Sequence, residues 1–535
     1  MQPECLPFRD VPGTSQLFLD FLACTPDIRH FYPTSALSLD ELTDQARQVS
    51  IPADRRQHVA DVLMRQNLAW NAKPEAVANI ERLRSGACAV VTGQQVGLFL
   101  GPCYTLYKAI TVIRLANELV ARGVDAVPIF WLASEDHDLA EVNHAFIPDS
   151  DGELHRLETG SRGPDGAPVG SVPLGPDITS LVDQLRTLIG DSDVVDIVGE
   201  SYEPGKTLAD AFAQLMTKLF SRYGLIVLEP SDAELHRIGA PLLESAARDA
   251  ELLTAALLSR SKELEADGYH VQVKVTPSST LLFFLKDSKR VPVHRKNGGF
   301  SANGQQWTRD ALTSQIASGP EAFSANVLFR PVLQDYLLPT ATYITGPAET
   351  AYFAQVQVVY DRLLGRTTPI WPRFSATLME PRLTSWMRKY GLRLADVLRP
   401  KEDFAAALAR RTIPADLKDD FDRSREQLER LLAPLLHSLN KLDPTIEAAG
   451  EVAAQKMRYQ LERLESRAAR AHLRREQVLE RHASMLSSML FPEKELQERH
   501  IAGIYFLVKF GTEVLDRLLT EYKPECRDHQ VITFA

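Results

Sequence analysis

Residues 87–116, ACAVVTGQQVGLFLGPCYTLYKAITVIRLA, decide the fold. A short apolar run over 87–91 leads into the loop Thr92-Gly93-Gln94-Gln95-Val96-Gly97-Leu98-Phe99-Leu100-Gly101, and Pro102 then opens an amphipathic helix. Strand, glycine loop and helix in that order bring backbone N–H groups and a helix N-terminus to a phosphate or carboxylate. The loop is no standard nucleotide motif. It lacks G-x-G-x-x-G spacing, and no Gly-Lys-Ser/Thr closes it.

Working outward, the helix over 104–122 ends at Gly123, and residues 127–132 (VPIFWL) read as a buried strand. Two strands joined by one helix make a βαβ unit, hence a parallel sheet with a right-handed crossover. A helix over 208–223, a strand over 225–228, and strand candidates at 343–345 and 369–371 extend that pattern. The expected class is α/β: a doubly wound parallel-sheet core, with a Gly-, Pro- and Asp-rich insertion near 145–205. A small mixed subdomain, expected at about 268–330, has short strands at 271–275, 281–285 and 291–295.

From residue 417 the pattern changes. Leu417, Phe421, Ser424, Leu428, Leu431, Leu435, Ser438 and Leu442 follow steps of four and three. Met457, Leu461, Leu464, Ala468, Ala471, Arg475, Val478, His482 and Met485 do the same. Such steps with charged flanks specify a coiled coil. Pro434 should kink the first helix, and a joint near Pro444 should fold the two into an antiparallel arm that dimerises. The divisions are therefore a core over 1–385, an arm over 386–490, and a tail over 491–535 returning to the core.

The chain of 535 residues is 44% hydrophobic and 24% charged, with a net charge of −10. That balance suits a globular protein and argues against nucleic-acid or membrane-surface binding. Five scattered cysteines form no C-x-x-C pair, and no apolar run approaches a membrane span. The start MQPECLPFRD lacks the basic and then apolar order of a signal peptide. A cytoplasmic location is expected.

Chemistry is expected where the strands end, because ligands of open α/β sheets bind outside the carboxyl ends of the strands. Four polar clusters fall there: Thr92 to Gln95, Ser134-Glu135-Asp136-His137-Asp138, Thr345 to Glu349, and Arg373 with Ser375. Glu141, Asn143 and His144 follow the second closely. His137, with Asp136 and Asp138, is the candidate for acid/base work. Asp138 also suits a helix cap. No metal is expected, since the spacing matches no standard zinc pattern. Lys108 reads as a solvated lysine, Tyr352 as core, and Cys103 as a small packing residue. Arg373 suits either an anion or a structural salt bridge.

The strings VVTGQQVGLFLGPCYTLYKA (90–109), VPIFWLASEDHDLAEVNH (127–144), NVLFRPVLQDYLLPTATYITGPAETAYFAQ (326–355), PIWPRFSATLMEPR (369–382) and LQERHIAGIYFLVKFG (496–511) resemble the BshC family of bacillithiol biosynthesis. The resemblance implies a Rossmann-like core, a connecting insertion and a coiled coil used for homodimerisation. It implies a ligase that adds cysteine to the amino group of glucosaminyl-malate, giving bacillithiol. It also implies ATP or ADP as nucleotide, with Thr92, Gly93, Gln94 and Gln95 facing Arg373 and Ser375 across it, or else a nucleotide site near the arm. Gly97, Gly101, Ser134, Glu135, Asn143, His144, Gly346 and Glu349 complete the expected binding set. Two other readings stand beside it: a non-catalytic nucleotide- or thiol-binding scaffold, and a nucleotidyl transferase acting on another small molecule.

Overall fold

The computed structural model describes residues 4–34 and 38–534. The chain forms two compact units: Met1–Ser150, Leu154–Thr377 and Glu498–Ile532 make the first, and Asp151–Glu153, Leu378–Gln497 and Thr533–Ala535 the second.

The first unit is built on five parallel strands: β1 (Cys88–Gln94), β2 (Ala126–Leu132), β3 (Ile226–Leu228), β4 (Thr340–Thr345) and β5 (Ile370–Pro372). Their order across the sheet is β5-β4-β1-β2-β3. Every pairing is parallel. These strands are almost wholly apolar or β-branched, because helices cover both faces. Helix α1 (Tyr104–Ala121) links β1 to β2, and helix α2 (Pro347–Leu363) links β4 to β5. The chain moves outward from β1 to β3, then returns to the other side of β1 as β4. This reversal makes the β1/β4 boundary a topological switch point, where a crevice opens at the strand ends.

β1 is longer than the sequence suggests. Thr92, Gly93 and Gln94 continue the ladder, in register with Phe130, Trp131 and Leu132. The expected loop therefore starts at Gln95. The small subdomain is a five-stranded antiparallel sheet of Ser279–Lys286, Lys289–Lys296, Gly299–Ala302, Gln305–Trp307 and Phe323–Ala325. Residues 271–275, expected as a strand, are irregular. Asn297-Gly298 and Asn303-Gly304, with positive φ at all four residues, make the tight turns. In the insertion, strands His144–Pro148 and Leu154–Glu158 pair antiparallel, and helices Asp177–Ile189 and Asp193–Ser201 follow.

The second unit contains helices α3 (Ala415–Leu442) and α4 (Pro444–Arg475), joined at Asp443, whose carboxylate caps α4 by accepting from Thr445 N–H. They run antiparallel: Arg425 pairs with Glu465 at 2.6 Å and Arg458 with Glu429 at 2.7 Å. α3 continues through Pro434 without ending. The seam differs from the expected one. Phe421, Leu432, Leu436 and Ala454 are buried, whereas Leu431 (72% exposed), Leu435 and Leu464 face solvent. A leucine-rich helix satisfies four-three spacing on two adjacent faces, and Gly450 settles which is inner by letting Leu436 and Leu439 approach its backbone. The second expected run is also split at Glu476, between α4 and helix Gln477–Leu490.

Candidate active site

A cavity of about 700 Å³ opens at the switch point. The ends of β1, β2 and β4 line it, together with Lys108 and Tyr104 of α1, Arg290 and Phe283 of the antiparallel sheet, Arg330, Arg373 and Arg499.

The residues at the end of β1 divide the cavity. Gln94 and Gln95 are consecutive in extended chain, so their side chains diverge. The Gln94 amide oxygen accepts from Lys108 Nζ at 3.0 Å. The Gln95 amide nitrogen donates to Asp136 Oδ2 at 2.8 Å and to Glu141 Oε2 at 2.7 Å. One glutamine thus serves a basic pole and the next an acidic one.

The basic pole is buried. Lys108, expected in solvent, is 3% exposed. Its Nζ lies 2.6 Å from Glu349 Oε2 and donates to Gly93 O at 2.6 Å. Helical side chains lean back toward the helix N-terminus, so Lys108 reaches the strand end from one turn inside α1. Burial lowers the Lys108 pKa, and the neighbouring Glu349 opposes that shift. Glu349 also accepts from Gly346 N–H at 2.8 Å and from Tyr343 O–H at 2.9 Å. Its ammonium partner is therefore Lys108 of the same chain. Arg330, not anticipated, donates to the hydroxyls of Tyr343 at 3.1 Å and Tyr352 at 2.8 Å. Gly93 makes this arrangement fit: a Cβ there would lie 2.9 Å from the Tyr343 hydroxyl and 3.3 Å from Arg330 Nη1. Arg373 is buried against Glu498 at 2.5 Å and stacks over Tyr104. The salt-bridge reading of Arg373 holds, and its guanidinium still borders the cavity.

The acidic pole is more open. Asp136 Oδ1 accepts from His137 N–H at 2.7 Å. Glu135 pairs with His236 at 3.3 Å. Arg290, held by Ser324 and the Ala325 carbonyl, lies over Phe283 and 3.4 Å from His137 Nδ1.

Of the anticipated residues, Gly93, Gln94, Gln95, Glu135, Asp136, His137, Gly346, Glu349 and Arg373 line the cavity. Thr92 instead donates to the Ile344 carbonyl inside the sheet. Gly97 and Gly101 belong to a closed turn: Gly97 N–H bonds Gln95 O, and Gly101 N–H bonds Leu98 O. Asp138 caps the short helix Leu139–Val142. Asn143 donates to Glu158, and His144 bonds Asn143. Ser375 joins a buried network with Glu498 and His529; burial lowers the His529 pKa to about 4, so the ring is neutral. Ser134 hydrogen-bonds Glu229. The Glu229 pKa is raised to about 7 by burial, and its second oxygen is buried without a partner. Cys103 is fully buried.

The model of the N-terminal Rossmann-like domain of bacillithiol biosynthesis BshC matches residues 1–374, and that of its C-terminal coiled-coil domain matches 376–534. The chain belongs to the BshC family. Proteins named "Putative cysteine ligase BshC" resemble it along nearly their whole length: 47% identity with that of Koribacter versatilis, covering 99% of this chain and 100% of the relative; 36% with that of Solibacter usitatus, with the same coverage; and 34% with that of Salinibacter ruber, covering 96% of each. The BshC domain boundary cuts through the charge network just described, since Arg373 lies before it and Ser375, Glu498 and Arg499 lie at or beyond it. No helix among the described residues is long and apolar enough to cross a membrane.

Proposed function

We propose that this protein is a cysteine ligase that joins the carboxyl of cysteine to the amino group of glucosaminyl-malate, forming bacillithiol as the last step of that synthesis. The segregation of charge in one cavity carries the reading. Carboxylates and an amine must meet there, and a basic pole of Lys108, Arg330, Arg373 and Arg499 stands beside an acidic pole of Glu135, Asp136 and Glu141. The names of the relatives support the same chemistry.

In this reading Arg330, which borders the cavity, holds a carboxylate and stabilises the charge that develops on its oxygen as the amine attacks, while Lys108, its three donors taken by Glu349, Gly93 and Gln94, fixes the strand end beside it. Asp136 or Glu141, beside His137, accepts the proton that the attacking ammonium must lose. ATP, when bound, supplies the leaving group that a free carboxylate lacks. Its phosphates would be met by the side chains of the basic pole. The exposed faces of α3 (Leu431, Leu435) and α4 (Met457, Leu464) support pairing of two copies through the arm. Five thiols without a disulfide suit the reducing cytoplasm.

Incubation of the purified protein with glucosaminyl-malate, cysteine and ATP, followed by mass spectrometry, is expected to yield bacillithiol. Absence of product across nucleotides and metals overturns the ligase reading. His137→Ala and Gln95→Ala are expected to abolish activity with the melting temperature nearly unchanged; full activity in either removes that residue from the mechanism.

A further inference from the structure

The five cysteines occupy different environments. Cys88 and Cys103 are buried, and Cys24 is half-buried near Arg527. Cys5 and Cys526 are 521 positions apart, yet their sulfurs lie 3.5 Å from each other, with Cys5 exposed. The proximity follows from the fold. Strand Glu4–Leu6 pairs antiparallel with strand His529–Thr533, Cys5 standing opposite Gln530, and Cys526 sits just before that last strand. Strand pairing holds the two thiols together before any bond forms between them. A disulfide needs a sulfur separation of about 2.05 Å, so closure requires only a small movement of two side chains at the surface.

We propose that Cys5 and Cys526 form a dithiol modification site, oxidised to an intramolecular disulfide by low-molecular-weight disulfides. One thiolate attacks a sulfur of R–S–S–R, forming a protein–S–S–R bond and releasing one R–S⁻. The second thiolate then attacks the protein-side sulfur and releases the second R–S⁻. The two protons from the protein thiols pass to the leaving thiolates. The protein is oxidised by two electrons, and one small disulfide is reduced to two thiols. The closed bond ties strand Glu4–Leu6 to the segment just before strand His529–Thr533. Because it removes closure entropy from a loop spanning almost the whole chain, it raises stability in the chain-entropy account. Burial, reinforced by Cys526, pushes the Cys5 thiol up to about 11. Exchange is therefore slow at neutral pH and faster in alkali, because the thiolate is the attacking species.

The test exposes the full-length protein to excess oxidised glutathione at alkaline pH and follows intact mass, peptide maps and melting temperature. The expected product has lost two hydrogen masses, shows one cross-linked peptide pair containing Cys5 and Cys526, and melts a few degrees higher. Reduction with dithiothreitol should reverse all three changes. In Cys5→Ser and Cys526→Ser the remaining cysteine should stop at the glutathione adduct, with no rise in melting temperature. Three outcomes overturn the proposal: a wild-type protein that retains glutathione without closing, a cross-link that includes Cys24, or no change in mass. Cys24→Ser, which should close as the wild type does, separates the pair from its neighbour. None of these readouts depends on ligase activity.

Discussion

The cavity and the helical arm treat charge and apolar surface in opposite ways. At the cavity, Lys108, Arg330 and Arg373 are withdrawn from water and held by Glu349, two tyrosine hydroxyls and Glu498. On the arm, ion pairs such as Arg425–Glu465 and Arg458–Glu429 lie partly in solvent, and leucines are exposed instead. Charge placed in low dielectric interacts strongly and is costly when left unpaired; charge on a wet helix is screened and contributes little. The geometry of the first region therefore depends on each member of its network, whereas the second tolerates replacement of any one pair.

The sharpest way to break this contrast is Lys108→Met. It leaves half-buried Glu349 without its ammonium and opens a gap at the buried Lys108 position, and should cost about 3–5 kcal/mol in denaturant unfolding, whereas Arg425→Ala should leave the midpoint almost unmoved. A loss of similar size in both variants would erase the distinction.

Glu229 probes the same principle through pH. Its carboxyl binds a proton more tightly in the fold than in the open chain, where its ordinary value is 4.5. Its contribution to stability is therefore full below about 4.5 and is lost as pH rises through about 7, a total of about 3 kcal/mol. Glu229→Gln should flatten the stability profile between those limits and be the more stable form at pH 8. An unchanged slope would show that the carboxyl is already ionised in the fold. His529 runs the other way: its folded pKa lies near 4, so its contribution is full above the ordinary 6.5 and falls with acid.

Gly93→Ala comes next. The added methyl meets the Tyr343 hydroxyl and Arg330 and should lower turnover about a hundredfold, equivalent to about 3 kcal/mol in the barrier, with the circular dichroism spectrum kept. The smallest effect on folding is expected from Leu431→Asp with Leu464→Asp. Both side chains are already exposed, so the melting temperature should barely change. If the arm pairs two copies, light scattering should nevertheless report monomers. An unaltered dimer moves the interface elsewhere.

The sheet was legible because its strands are short β-branched runs bounded by glycines, a pattern that local physics imposes. The four polar strand ends were legible for the same reason, since open sheets place them on one edge. Distance in sequence hid the rest. Arg290, Arg330, Glu498 and Arg499 come from elements whose approach to the switch point only tertiary packing determines. Lys108 is hidden for another reason: position along a helix does not give the direction of a side chain, which here runs back to the strand end. The antiparallel strands after residue 296 carried a usable signal, Asn-Gly at 297 and 303, which marks tight hairpins. On the arm the four-three spacing located the helices but not the inner face, because several leucines satisfy it one residue out of phase.

The ion pair between Arg373 and Glu498 also sets a timetable. A ribosome adding about 5–20 residues per second needs about 6 to 25 s to travel the 125 positions from residue 373 to residue 498. Throughout that interval Arg373 has been made and its counter-charge has not, and the whole arm is synthesised in between. The sheet can assemble early, but the site is finished last. A nascent chain halted within the arm would therefore hold Arg373 without its carboxylate, a species for chaperones to retain.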